Sequence, residues 1–241
     1  MIEFKNISKS YVSNKFAVED LNLKINDGEI FGFLGPNGAG KTTTIKMLTG
    51  ILKPTNGEIF INDVNIETSP IEAKKNFGYV PDSPDIFLNL TGNEYLNFMA
   101  DMYEISDRKN KILELAQKFE MANNLGERIS SYSHGMRQKI ILIGALLSES
   151  KNWILDEPMT GLDPKASHLL KEMMRKHANK NNTVFFSTHV LEVAEKICDR
   201  VGIISDGKLV ALGTISEIKD KFNEGTLENI FLEITENEQN N

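Results

Sequence analysis

One stretch constrains this chain more than any other: Gly35-Pro36-Asn37-Gly38-Ala39-Gly40-Lys41-Thr42-Thr43. An apolar run, Ile30 to Leu34, precedes it and reads as a buried strand, while Thr44 to Gly50 reads as the opening turns of a helix. Strand, glycine-rich turn and helix form the setting in which G-x-x-x-x-G-K-[ST] binds phosphate. The glycines let the backbone curl so that successive N–H groups converge on an anion. The helix start adds its unpaired N–H groups and the positive end of its dipole. In this setting Lys41 reaches the terminal phosphates and the Thr42 hydroxyl offers itself to Mg²⁺. A plain turn with a solvated lysine explains the glycines, but not a Lys-Thr pair placed where the helix opens.

The rest of the chain reads as an α/β frame around that motif. Residues 1–34 look like antiparallel strands, with Ile2, Phe4 and Ile7 in the first and Leu21, Leu23 and Ile25 in the second. Polar turns fall at Ser13-Asn14-Lys15 and Asp27-Gly28, the latter leading into the buried run. Pro54-Thr55-Asn56-Gly57 and Asn62-Asp63 bracket another strand, and Phe77 to Val80 is a short one ended by Pro81. From Thr91 the period becomes helical: Thr91 and Glu94 are spaced as a capping box, and Tyr95, Phe98, Met99 and Met102 make an apolar stripe. Ile112, Leu115, Ala116 and Phe119 mark a second amphipathic helix, so residues 85–150 read as a mostly helical insertion. After it come a strand at 153–155, a helix opened by Pro164, a strand at 183–187, and a hairpin around Asp206-Gly207. The helix opened by Pro164 carries Ala166, Leu169, Leu170, Met173 and His177 on its apolar side, and the polar tail 235–241 is expected to fray.

Three further groups of residues carry chemistry. Trp153-Ile154-Leu155 ends in Asp156-Glu157, and an apolar strand ending in Asp is a usual place for a Mg²⁺-organising carboxylate beside a phosphate loop. Glu157 is then placed to orient or deprotonate a water, and His189, at the end of another strand, to hydrogen-bond the terminal phosphate. Ser133, within Tyr132-Ser133-His134-Gly135-Met136, is a good N-cap for the apolar helix behind it, which on its own is a structural role. Tyr11 is either surface packing or a stacking face for a nucleotide base.

Composition narrows the partners. A net charge of −7 over 241 residues argues against nucleic acid. The single cysteine, Cys198, permits no internal disulfide and fits a reducing compartment, most simply the cytosol. Met1-Ile2-Glu3-Phe4 leads directly into strand-like sequence without a leader pattern, and the apolar run Ile140 to Leu147 is too short to span a bilayer. A membrane role is therefore expected to come through a partner.

Taken together, these pieces resemble the ATP-binding subunit of an ABC transporter from about residue 2 to residue 234. The match rests on Tyr11, Gly35 to Thr43, Tyr132 to Met136, Asp156-Glu157, Thr160-Gly161-Leu162-Asp163 and Ser187-Thr188-His189, in that order and spacing. The resemblance implies a RecA-like phosphate-loop NTPase core with a mainly parallel sheet, an N-terminal antiparallel β subdomain and an inserted helical subdomain. It implies a cassette over residues 1–225, its helical insertion at about 85–150, and a short extension at 226–241. It also implies ATP and Mg²⁺ as ligands, with Thr42, Asp156 and Asp82 toward the metal and Glu157, His189 and Lys41 acting in hydrolysis. Gly35, Asn37, Gly38, Ala39, Gly40, Thr43 and Asp163 join Tyr11 and Asp82 on the nucleotide. In that family two copies face head to tail, so Ser133 and Gly135 of one chain close over ATP held by the other. An integral membrane permease subunit is the further partner, and the chain is expected on the cytoplasmic face of the cell membrane.

Two departures from the family pattern are informative. The signature commonly reads Leu-Ser-Gly-Gly-Gln and here reads Tyr-Ser-His-Gly-Met. Asp82 stands where a glutamine is usual. Both features, with the ending Leu227 to Leu232, are similar to the exporter branch handling antibiotics and bacteriocins. Ile86-Phe87-Leu88 is an apolar tip that either faces the membrane partner or is buried in the insertion. A soluble ABC ATPase acting in translation or DNA maintenance is the alternative, but it would bring two cassettes or a long coiled-coil insertion, and neither is present. A GTP-binding switch would need Asn-Lys-x-Asp after the phosphate loop, which is absent.

Overall fold

The computed structural model describes residues 1–12, 15–83, 86–222 and 225–239, the stretch 235–239 by backbone alone. The strands are β1 (Ile2–Val12), β2 (Lys15–Ile25), β3 (Ile30–Leu34), β4 (Asn56–Ile61), β5 (Val64–Asn65), β6 (Phe77–Val80), β7 (Asn152–Leu155), β8 (Thr183–Thr188), β9 (Arg200–Ser205) and β10 (Lys208–Gly213). The helices are α1 (Lys41–Leu48), α2 (Pro70–Lys74), α3 (Gly92–Met102), α4 (Arg108–Lys118), α5 (His134–Leu146), α6 (Pro164–Ala178), α7 (Leu191–Ile197), α8 (Ile215–Phe222) and α9 (Leu227–Gln239).

Two sheets share the chain. The first is antiparallel in the order β2-β1-β4-β5. Its first strand spaces Ile2, Phe4 and Ile7 by two and then three, opposite the even Ile25, Leu23 and Leu21; the extra residue is a bulge, with Asn6 at φ 51°. The second sheet has the order β10-β9-β3-β8-β7-β6 and is parallel throughout except for the β9–β10 hairpin at Asp206-Gly207. β3 is therefore not a third antiparallel strand following β2, as residues 1–34 suggest. All five of its residues are buried, and a strand covered on both faces suits the centre of a parallel sheet. Gly28 does turn, at φ 83°, but it carries the chain from one sheet to the other.

Helices cover both faces of the parallel sheet. Ile154, Phe185, Phe31 and Phe33 face one core with β1, β2, β4 and α1. Trp153, Leu155, Val184 and Phe186 alternate to the opposite side, against α3, α4, α5 and α6. Between β6 and β7 the described residues hold helices and turns, with one isolated bridge, Thr91 to Arg128. Thr91 and Glu94 form the expected capping box of α3. The stripe on that helix is rotated from the expected one: Tyr95, Leu96 and Ala100 are buried, while Phe98 and Met102 are exposed. Small Gly144 on α5 admits Tyr95 and Met99, and Phe98 instead meets the exposed Phe87 edge-on at 5.8 Å. Of the apolar tip, Ile86 packs inward and Phe87 and Leu88 face out. On α6, Ala166, Leu170 and His177 are buried as expected and Leu169 and Met173 are partly so.

Backbone helix continues through Gln239, and Leu227, Ile230 and Ile234 share a core with Ala194, Val201 and Ile218. Asn240 and Asn241, like the turn residues Ser13 and Asn14 and the start of the insertion at residue 85, lie outside the described residues. No helix among the described residues is long and apolar enough to cross a membrane.

Candidate functional site

Four neighbouring strands of the parallel sheet, in the order β3-β8-β7-β6, bring their carboxyl ends to one edge. Beyond those ends stand the residues 35–40 after β3, His189 after β8, Asp156-Glu157 after β7 and Asp82 after β6. The crevice outside the carboxyl ends of the strands is where open α/β sheets hold ligands. Here it is a cavity of about 370 Å³ lined by Asn37, Gly38, Gly40, Lys41, Thr42 and Thr43, with Asp82, Glu157, Thr160 and His189 opposite.

The loop after β3 is shaped by its glycines. Gly40 has φ 109°, and a Cβ there would stand 2.5 Å from the Ala17 carbonyl oxygen, so both its conformation and its surroundings demand glycine. Gly38, at φ 87°, faces open space within the cavity. Helix α1 begins at Lys41, so the Lys41-Thr42 pair does stand where the helix opens, and Gly40 supplies no side-chain cap. Its first N–H groups are therefore available to a ligand at the loop. Lys41 is buried; its ammonium donates to the Gly35 carbonyl at 2.6 Å and the Pro36 carbonyl at 3.2 Å, and lies 3.8 Å from Glu157. Burial pulls its pKa down, while Glu157, Asp156 and Asp82 pull the other way.

Opposite the loop, Asp156 is 1% exposed. Ser187, at the end of β8, donates to its Oδ1 at 2.6 Å and accepts from the Glu157 N–H at 3.0 Å. The other oxygen, Oδ2, is buried with no partner among the described residues. Burial raises the Asp156 pKa; Asp82 and Glu157 add to the rise, and the Ser187 and Thr42 hydroxyls oppose it. An orphaned carboxylate oxygen beside a hydroxyl fits a small oxygen-seeking dication such as Mg²⁺ better than it fits an empty core. Glu157 holds a left-handed backbone at φ 46°, strained for a residue with a side chain, and its Oε1 lies 3.0 Å from His189 Nδ1. Ser187 has a role that its place in the sequence signals only as a hydroxyl near the carboxyl end of an apolar strand.

The remaining candidates lie elsewhere. Tyr11 is 61% exposed beside the loop, its hydroxyl 3.4 Å from Thr43 Oγ1, and it shares a second cleft with Gly38. Ser133 caps α5, accepting from the Met136 N–H at 3.3 Å. Neither Ser133 nor Gly135 lines the cavity of their own chain. Asp163 caps α6 through Ala166 and pairs with Lys139 at 2.6 Å. His134 lies against Gly161, where an added Cβ would meet its ring at 2.5 Å. The start of α5 is thus tied to the loop that follows Glu157.

The family model described as ABC transporter matches residues 18–160. Among curated proteins, the chain is 37% identical to the bacitracin transport ATP-binding protein BcrA of Bacillus licheniformis, over 87% of this chain and 68% of that protein. It is 31% identical to the linearmycin resistance ATP-binding protein LnrL of Bacillus subtilis, over 94% of this chain and 73% of that one. Among solved structures, an ATP-binding subunit of an ABC transporter superposes with a TM-score of 0.92 at 33% identity, covering 98% of this chain and 99% of that chain.

Proposed function

The chain belongs to the ABC transporter family as an ATP-binding, ATP-hydrolysing subunit, and from that premise we propose how its residues divide the work. Residues 1–225 act as the cassette, with 85–150 as the helical insertion and 226–241 as an extension. Residues 35–43 wrap the phosphates of ATP with backbone N–H groups, Lys41 neutralises the terminal ones, and Tyr11 stacks on the base. Asp156, Thr42 and, from the rim, Asp82 hold Mg²⁺. When bound, that ion offsets charge on the phosphate oxygens. Glu157 accepts a proton from the attacking water, a role worth about 10²–10⁴ in rate. His189, in contact with Glu157, hydrogen-bonds the terminal phosphate.

Ser133 and Gly135 have their task on a second copy of the chain. With the N-terminus of α5 behind them, they close over the terminal phosphate of the facing cassette, and Asp163 lies at the same junction. The two copies sit head to tail on the cytoplasmic face of the cell membrane. Closing and opening of the pair drives an integral membrane permease, which meets the surface around Asp82, Phe87 and Leu88. Export is the direction favoured by the relatives named for bacitracin transport and linearmycin resistance. The observation that carries this reading is the convergence of residues 35–43, Asp156, Glu157 and His189 at one sheet edge. Phosphate release from ATP by the purified chain tests it: activity is expected with Mg²⁺ and is lost in Lys41→Ala and on chelation. Release that survives in Lys41→Ala would contradict it.

A further inference from the structure

A separate cleft, of about 430 Å³, opens between α4 and α6 and shares no residue with the phosphate-loop cavity or with the cleft beside Tyr11. Its floor is Trp153, stacked on His177 with ring centroids 3.9 Å apart and 10° between the planes. Both rings are more than nine-tenths buried. Burial lowers the His177 pKa to about 4, so this flat floor is uncharged near neutrality. The Trp153 indole N–H has no hydrogen-bond partner among the described residues, an unusual state for a buried donor. Leu115, Leu147, Leu169 and Met173 form the walls.

The rim is basic. Lys111 pairs with Glu149 and Lys118 with Glu114, but Lys176 and Lys180 have no carboxylate within 4.0 Å among the described residues. Both ammonium groups line the cleft beside its apolar floor. We propose that this cleft binds a small amphipathic organic anion, its apolar body on Trp153 between the walls from α4 and α6 and its acidic group at Lys176 and Lys180. The volume suits such a ligand, since small-molecule sites run from about 300 to 1,000 Å³ and combine apolar walls with a few placed polar groups. The site does not depend on the nucleotide reading, although Trp153 lies on β7 three residues before Asp156.

Trp153 is the sole tryptophan, so its indole N–H gives one resonance in a ¹⁵N-labelled chain. Titration with 8-anilinonaphthalene-1-sulfonate and, separately, with dodecanoate asks whether a flat or an acyl body is taken. A saturable shift of the indole resonance is expected from at least one of the two. Lys176→Glu with Lys180→Glu should weaken that binding about tenfold or more and leave the unliganded resonance in place. Should the reversed charges disturb folding, Lys176→Gln with Lys180→Gln carries the same comparison. No saturable indole shift up to millimolar probe overturns the proposal, as does equal affinity in the lysine variants.

Discussion

Glu157 occupies a backbone conformation that few side chains tolerate, within reach of Lys41 and His189. Such strain persists where the surroundings over-determine it, here through the Ser187 hydroxyl that bonds both the Glu157 N–H and Asp156. Glu157→Gln should keep ATP affinity and lower turnover by about 10²-fold or more, read as phosphate release beside equilibrium ATP binding. Turnover near the wild-type level removes the residue from the proton transfer. His177 gives a pH prediction of known sign. Its folded pKa of about 4 lies below the ordinary 6.5, so the unfolded chain binds the proton first and stability is lost as pH falls from about 6.5 to 4. The cost between pH 7 and 5 is on the order of 2 kcal/mol. Urea unfolding at both pH values should show His177→Phe, which keeps a ring on Trp153, losing less than wild type over that interval. Equal losses would place the proton elsewhere. At this scale the phosphate loop, Asp156 and Glu157 were legible because their neighbours in sequence announce them. Ser187 and Lys139 were not, since their partners Asp156 and Asp163 are distant along the chain.

At the scale of elements, the loop and helix α1 stand on Gly40. Gly40→Ala must force a Cβ toward the Ala17 carbonyl at a φ that L-residues avoid, a cost of about 1–3 kcal/mol in backbone strain alone. Thermal melting with and without ATP should show a lower midpoint and little stabilisation by nucleotide; an unchanged pair of melts would remove Gly40 from both roles. Most element types could be read from periodicity, capping residues and turns: the α3 box, the helix at Pro164, the hairpin at Asp206-Gly207. Two things could not. Periodicity finds a face on α3 but not which side meets α5, because small Gly144 decides that contact from another helix. An apolar run also carries no statement about its partner, so β3 looked like the next antiparallel strand although it pairs in parallel with β8 and β9. Leu227, Ile230 and Ile234 anchor α9, whose backbone continues through Gln239.

For the whole molecule, the cavity at the sheet edge gathers Lys41, Thr42, Asp82, Glu157 and His189 but not Ser133 or Gly135 of the same chain. We propose that a second copy supplies those two residues to the terminal phosphate. A chain carrying Lys41→Ala retains its signature, and one carrying Ser133→Arg retains its phosphate loop. Each variant alone forms two broken sites and should be nearly inactive. A mixed pair contains one site with both lesions and one site that is chemically whole. The decisive measurement is ATP turnover by purified heterodimers of the two variants, each tagged differently, alongside a wild-type/Lys41→Ala heterodimer that also has a single whole site. With the site shared between copies, the two heterodimers should hydrolyse ATP at similar rates, well above either variant homodimer. Activity in the wild-type/Lys41→Ala pair with none in the Lys41→Ala/Ser133→Arg pair would contradict that arrangement.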